Sequence, residues 1–354
     1  MSDPPELAAS LLAYLRGQLG EAVGFAEEPT ALSGGFETGI YAFRLKGAPP
    51  EFAGPLILRL YPAFVDPARA MYEKVVHETL VTGGYPAPRV LLASADAETL
   101  GGGFLVMVRL PGKTLAEDFF QLSTILRLRT RAFGFVSRSM AQLQLRLHAL
   151  DGSRLLEALR AEGLPESAPP YKVSTRIASF EGRLDQLAAR AEAANFDGLA
   201  PGIEWALTNR PSERDAVLCH GDFHPLNIMS DRGDLKGVID WSLATVASPA
   251  FDVGNTLMIL GQASGAAGGG LASALRGSTA KRYLSHYQKV RPLDMDAVRY
   301  YEAYRCLQSL LWAAENRIVR AKQPEVRPSP WDAPEVAGGL AARFQEISGA
   351  RVSL

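Results

Sequence analysis

The sequence predicts an α+β protein, with a small β-rich N-terminal part followed by a larger, mainly helical C-terminal part. Between Pro29 and Tyr61 the apolar residues fall into runs of strand length, Ala31–Leu32, Ile40–Leu45 and Pro55–Tyr61. From about Phe133 onward, apolar spacing of three and four residues takes over. Within that helical part, the apolar runs at Val217–Cys219 and Val238–Ile239 flank a polar loop, so a second, smaller set of strands is expected there.

Taken in order, Pro5 to Leu19 aligns Leu7, Leu11, Leu12, Leu15 and Leu19 and reads as an amphipathic entry helix. Ala31–Leu32 and Ile40–Leu45 flank Ser33-Gly34-Gly35-Phe36-Glu37-Thr38-Gly39, where glycines let the backbone approach a neighbour. A cover over phosphate groups and a plain hairpin turn are the two readings. In Leu56–Leu60, Leu58 and Leu60 point to one face of the strand and Arg59 to the other. Ala68 to Val81 has helical spacing and carries Glu73 and Glu78, each placed to pair with Arg59. Gly103 to Gly112 reads as a buried strand ending in a Pro-Gly turn. Phe133 to Leu150 is a strong helix, with His148 near its end and expected beside the core. A long helix from about Met295 to Arg320 aligns Tyr301, Arg305, Gln308, Trp312 and Glu315. An ordinary packed face with a polar edge is the expectation for it, and a pocket wall the alternative.

A chain of 354 residues with 47% hydrophobic content can build two lobes around a cleft. A net charge of −1 gives no bulk attraction to nucleic acid or to an anionic membrane. Two cysteines, Cys219 and Cys306, are too few for a disulfide framework and fit a cytoplasmic protein. Pro4, Pro5 and Glu6 stand where a secretory signal would need a basic and then apolar start. The uncharged stretch Val253–Leu275 includes six glycines among its 23 residues, so it is no lipid-facing helix. Val253–Leu260 is expected as a buried helix, and Gly261–Gly270 as a loop.

The densest chemistry lies at Val217-Leu218-Cys219-His220-Gly221-Asp222-Phe223-His224-Pro225-Leu226-Asn227, followed by Ile239-Asp240-Trp241. Asn227 stands five residues after Asp222, and Asp240 thirteen after Asn227. Phosphoryl transfer from ATP needs such a set: a carboxylate at the attacking hydroxyl, and an amide and a carboxylate to hold Mg²⁺. His220, Asp222 and Asn227 also match the H-x-D-x-x-x-x-N of protein-kinase catalytic loops. Asp222 is therefore the candidate catalytic base, Asn227 and Asp240 the candidate metal ligands, and His220 and His224 candidate braces of the loop. Neither histidine has the spacing of a zinc site. Arg59 stands where a kinase strand places its phosphate-gripping Lys, with Glu73 preferred over Glu78 as its partner.

His-Gly-Asp-Phe-His-Pro-x-Asn, then Ile-Asp-Trp, then Ser248-Pro249-Ala250-Phe251-Asp252-Val253-Gly254 resembles the aminoglycoside phosphotransferase family, which includes choline and homoserine kinases. The resemblance runs from about Leu32 to Trp312. It implies a two-lobed, protein-kinase-like fold, with an ATP-covering lobe at 1–107 and a catalytic and acceptor-binding lobe at 108–354. It further implies that Ser33, Gly34 and Gly35 cover the ATP phosphates, that Met107 lies beside the adenine, and that the backbone of Val108 and Leu110 bonds its edge. Asp252 would hydrogen-bond the catalytic-loop backbone. Gly221 replaces the Arg of His-Arg-Asp, and neither D-F-G nor A-P-E follows Asp240, so a small-molecule hydroxyl is the expected acceptor rather than a protein. A nucleotide-binding regulatory module without turnover is the alternative. A polycationic aminoglycoside would call for a dense acidic wall, and the acids Asp294, Asp296, Glu302 and Glu315 are scattered.

Overall fold

The computed structural model describes residues 4–32, 38–63, 65–122, 126–164, 180–193, 196–212, 215–262, 270–322, 328 and 331–354. The chain starts with α1 (Pro4–Leu19), β1 (Gly24–Ala31), β2 (Gly39–Lys46), β3 (Leu56–Leu60), α2 (Ala68–Thr82), β4 (Val90–Ser94), α3 (Ala97–Leu100) and β5 (Phe104–Val108). The five strands form one antiparallel sheet in the order β1-β2-β3-β5-β4. Side chains alternate across it. Leu56, Leu58, Phe104 and Val106 bury one face against Leu7, Leu11 and Leu15 of α1. Leu105 and Met107 point the opposite way and join Tyr61, Val65 and Ala70.

The chain continues through β6 (Lys113–Thr114), α4 (Leu115–Leu122), α5 (Leu126–Leu147), α6 (Ser153–Ala161), α7 (Phe180–Ala193), α8 (Ala200–Thr208), β7 (Val217–Cys219), β8 (Ile228–Asp231), β9 (Asp234–Val238), β10 (Thr245–Ala247), α9 (Pro249–Gln262), α10 (Gly270–Gln288), α11 (Met295–Lys322) and α12 (Pro334–Ser348). The small strands pair as β6-β8-β9 and β7-β10, and the loop between β7 and β8 carries His220 to Asn227. Arg232 and Gly233 join β8 to β9 with φ of 51° and 88°, the left-handed pair that a two-residue hairpin turn requires. Asp118 of α4 clamps this hairpin by accepting from Ser230 Oγ at 2.7 Å and Gly233 N at 3.0 Å.

Helices α9 and α11 cross closely because Gly254 has no side chain. A Cβ there would meet Val298 O at 2.7 Å and Glu302 N at 2.9 Å. Phe251 of α9 packs edge-on against Tyr301 of α11 at 5.6 Å between ring centres, which fixes the two helices in register beneath the loop. Trp241 is fully buried beside His220, 4.5 Å away, and its indole N–H is satisfied by Val238 O. An aromatic so placed contributes several kcal/mol, with truncation to Ala costing about 3–5.

Several elements depart from the sequence expectation. β1 runs from Gly24, well before Ala31–Leu32. It is a polar edge strand containing Pro29, exposed along most of its length, so it offers no apolar run to read. α9 begins four residues before Val253, at Pro249, and extends to Gln262, through the start of the expected loop. Ser33, Gly34 and Gly35, expected as the phosphate cover, lie outside the described residues, as do positions 263–269. Among the described residues no helix is long and apolar enough to cross a membrane.

Candidate active site

The loop after β7 is held from below by Asp252, in the first turn of α9. Its Oδ2 accepts from His220 N at 3.0 Å and its Oδ1 from Gly221 N at 2.7 Å. His148 Nε2 donates to the same Oδ2 at 3.1 Å, and Tyr287 O–H lies 2.6 Å from His148 Nδ1. Burial opposes ionisation of Asp252, but these donors outweigh it and hold the carboxyl at about 2. His148, Cys219 and Asp252 gather their ligand atoms within 4.8 Å of one another. Asp252 is already engaged there by the loop backbone and His148, so the cluster braces the loop. Gly221 sits at φ 80°, and a Cβ there would meet Leu243 O at 2.4 Å. That contact explains why no Arg follows His220.

His220 is buried and neutral. Desolvation lowers its pKa, Nε2–H donates to Ile239 O at 3.0 Å, and Nδ1 accepts from Asp222 N at 3.1 Å. The ring thereby links both halves of the site, the Asp222 loop and the segment before Asp240. Asn255 Nδ2 and Thr256 Oγ1 donate to Gly221 O and Phe223 O and complete the support from α9.

Asp222 itself is 23% exposed. Oδ1 accepts from Arg305 Nη2 at 2.6 Å, and Oδ2 faces His224 Nε2 at 3.3 Å. Burial raises its pKa, yet Arg305 and His224 outweigh burial and hold the group below the ordinary carboxylate value. Asn227 Nδ2 donates to Asp222 O at 3.0 Å, which leaves Asn227 Oδ1 as its acceptor toward a cation.

Asp240 adopts φ 61° and ψ 66°, an uncommon conformation for a residue with a side chain, and one that often marks functional positions. Its Oδ1 accepts from Arg59 Nη2 at 3.0 Å. Burial disfavours the charge, but Arg59 overrides it and keeps Asp240 strongly acidic. Arg59, on β3, is 12% exposed and also pairs with buried Glu73 at 3.4 Å, while Arg69 approaches the other oxygen of Glu73 at 3.8 Å. Tyr61 stacks its ring 5.8 Å from the Arg59 guanidinium and 5.1 Å from that of Arg69. The rival residues lie elsewhere. Arg44 pairs with Glu27 on the exposed outer strand, and Glu78 with Lys74 on the outer face of α2.

At the expected hinge, Met107 is buried in β5 between Ile57 and Val90. Val108 N–H donates to Arg89 O at 2.9 Å, so Val108 has only its carbonyl to offer a base. Leu110 packs its Cδ1 where a Cβ at Gly237 would stand, 2.7 Å away, and Val238 N–H donates to Pro86 O. These contacts seat β9, and with it Asp240, beneath the strand-to-helix crossing.

The expectation that α11 presents an ordinary packed face needs correction at one residue. Arg305 turns into the His220–Asn227 loop, while Tyr301 and Gln308 pack in the core and Glu315 binds Arg190. Only the contact across 83 positions distinguishes Arg305 from its neighbours on the same face.

Residues 29–293 match the phosphotransferase enzyme family, and the chain belongs to it. An aminoglycoside 3'-phosphotransferase of Streptomyces fradiae is 31% identical over 183 residues, 50% of this chain and 59% of that protein. Acyl-CoA dehydrogenase family member 10 of mouse is 24% identical over 247 residues, which is 68% of this chain but 21% of the mouse protein. The chain thus spans about a fifth of the length of the acyl-CoA dehydrogenase relatives it matches. Among solved structures, a protein of Ralstonia eutropha JMP134 described as an aminoglycoside phosphotransferase superimposes with a TM-score of 0.65 at 18% identity. That superposition covers 97% of this chain and 98% of the other. A thermostable mutant of aminoglycoside phosphotransferase APH(4)-Ia, in ternary complex with AMP-PNP and hygromycin B, gives 0.59 at 16% identity, covering 96% and 98%. These superpositions establish the fold, a small antiparallel-sheet lobe and a larger helical one.

Proposed function

We propose that this protein is a phosphotransferase that moves the γ-phosphate of ATP, with Mg²⁺, to a hydroxyl of a small molecule. The observation that carries the reading is the convergence of Asp222, Asn227, Asp240 and Arg59, drawn from two segments and three sheets, with Arg59 bound to Asp240 at 3.0 Å. The AMP-PNP and hygromycin B held by the fold neighbour support a nucleotide and a hydroxylated acceptor in such a cleft.

The residues fit a divalent cation. Asn227 Oδ1 and the Asp240 carboxylate are hard oxygen donors, and few protein ligands with added water suit Mg²⁺. When bound, the ion would neutralise charge on the triphosphate oxygens. Arg59, steadied by Glu73, would grip phosphate oxygens, and 1–107 would close over the nucleotide while 108–354 holds the acceptor. The carbonyl of Val108, the backbone of Leu110 and the side chain of Met107 would take the adenine, and Ser33, Gly34 and Gly35 would cover the phosphates. Asp222 would accept a hydrogen bond from the acceptor hydroxyl and take its proton late. A carboxylate held below its ordinary pKa is a weak base. In a loose transition state, orientation supplies most of its effect. Cys219 and Cys306 are buried and not joined in a disulfide, which suits the cytoplasmic setting that goes with this reading.

The test is ADP release from MgATP by purified protein across hydroxylated metabolites and antibiotics. Acceptor-dependent release supports the reading. Nucleotide binding without turnover on any acceptor would favour a regulatory module instead.

A further inference from the structure

Helix α11 delivers to the catalytic loop a group that no motif announces. Arg305 Nη2 donates to Asp222 Oδ1 at 2.6 Å, and Nη1 donates to Gln308 Oε1 at 2.9 Å. Its side chain is 2% exposed, and its guanidinium carbon stands 4.8 Å from the centre of the Trp312 ring. A planar cation held by a carboxylate, an amide and an aromatic face has little freedom to swing. The bond takes one Asp222 oxygen and leaves Oδ2 toward His224 at 3.3 Å and Asn227 Nδ2 at 3.5 Å.

We propose that Arg305 is the positioning residue of Asp222, and that the wall it belongs to selects a hydroxyl acceptor bearing no ammonium group, either neutral or anionic. The proposal rests on the phosphotransferase reading for its acceptor half only. A carboxylate free to rotate about its Cβ–Cγ bond presents either oxygen in many directions, whereas one pinned at Oδ1 presents Oδ2 in one. Arg305 also helps to keep Asp222 ionised against its burial.

The selectivity follows from charge compensation along α11. Besides Asp222 on Arg305, Glu302 accepts from Arg343 at 2.8 and 2.9 Å, and Glu315 accepts from Arg190 through both its oxygens. Among the described residues, each of these three carboxylates is thus already bound by a guanidinium. Asp294 and Asp296 are exposed at the start of α11, about 13 Å or more along the helix from Arg305. Among the described residues of α11 no unpaired carboxylate stands beside Arg305, so an ammonium next to the reacting hydroxyl would face that cation with only the Asp222 carboxylate, already shared with Arg305, to receive it. A neutral hydroxyl or a carboxylate there would meet no such repulsion.

Two measurements test the proposal on the full chain. Carboxyl-¹³C aspartate NMR at one neutral pH, with the Asp222 signal assigned by its loss in Asp222→Asn, reports the order of that carboxylate without turnover. Arg305→Met should move and narrow the Asp222 signal toward that of a freely rotating carboxylate, and Arg305→Lys should restore part of the wild-type signal. An unchanged Asp222 signal in Arg305→Met overturns the positioning role. If Arg305→Met does not fold, Arg305→Lys alone decides, by whether its Asp222 signal departs from the wild type. The second measurement is ADP release with myo-inositol, gluconate, kanamycin and hygromycin B. The wild type should turn over neutral or anionic compounds and not the two aminoglycosides. Arg305→Met should lower kcat by about 100-fold at constant KM for ATP. Faster turnover of kanamycin or hygromycin B than of the other two overturns the selectivity. Release indistinguishable from Asp222→Asn with all four acceptors instead counts against the phosphotransferase reading itself, and the NMR shift still decides the role of Arg305.

Discussion

Replacing Arg59 separates its role as a phosphate grip from that of a surface cation on β3. Its guanidinium reaches Asp240 at 3.0 Å and Glu73 at 3.4 Å, with 12% of the side chain exposed, so little solvent screens it. A charge-assisted hydrogen bond of this kind contributes about 1.5–3 kcal/mol. Arg59→Ala should therefore weaken ATP by roughly 10- to 150-fold. Adenosine lacks the phosphates and should bind with nearly unchanged affinity. Arg59→Lys should fall between, because the charge survives while the planar fork is lost. The truncation also leaves Glu73 with Arg69 at 3.8 Å as its ion-pair partner among the described residues. Breaking a buried pair costs about 3–5 kcal/mol, and here the low end applies because Asp240 is 39% exposed. Titration calorimetry with ATP and adenosine, well below the melting temperature of each variant, gives the comparison. Equal losses for both ligands would refute the phosphate role. A loss of ATP affinity in Arg44→Ala alone would move that role to β2.

Asp240→Ala should abolish the extra thermal stabilisation that Mg²⁺ adds to ATP, about 2.7 kcal/mol at one hundred times the dissociation constant. The same Mg²⁺ increment in wild type and variant, read by thermal shift, would remove Asp240 from the metal site. Asp252 predicts an acid limb. Its carboxyl is held at about 2 in the folded state, so its contribution is complete above the ordinary carboxylate pKa and is lost as pH falls from about 4 toward 2. The amount at neutral pH is about 2 kcal/mol. Chemical unfolding at pH 7 and pH 3 should show a larger loss for the wild type than for Asp252→Asn, and parallel losses would contradict the assignment.

What could be read from the sequence divides by distance along the chain. Asp222, Asn227 and Asp240 lie within one strand–loop–hairpin segment, where spacing alone marks them as candidates. Arg59 could be placed because strand alternation forces it opposite Leu58. Glu73 is preferred over Glu78 only through its spacing to residues 86–91 in the family resemblance, and the structure buries Glu73 beside Arg59 while Glu78 pairs with Lys74. Arg305 could be aligned on its helix face, but its pairing with Asp222 could not be read, since the helix is buried nearly all round and the partners lie 83 residues apart. β1 escaped for the opposite reason: an exposed edge strand with a proline carries no hydrophobic period. The occupied amide of Val108 was equally hidden, because backbone bonding leaves no mark on side-chain pattern.

The most direct measurement is transfer of labelled γ-phosphate from ATP to an accepted hydroxyl compound by wild type and Asp222→Asn, with ATP affinity measured on both. Loss of the group that holds the acceptor typically costs about 10²–10⁴-fold. The account predicts a fall of that size in transfer, with ATP affinity largely retained, since Asp222 is bound to Arg305 and His224 rather than to Arg59. Transfer by Asp222→Asn at near the wild-type rate would contradict the account.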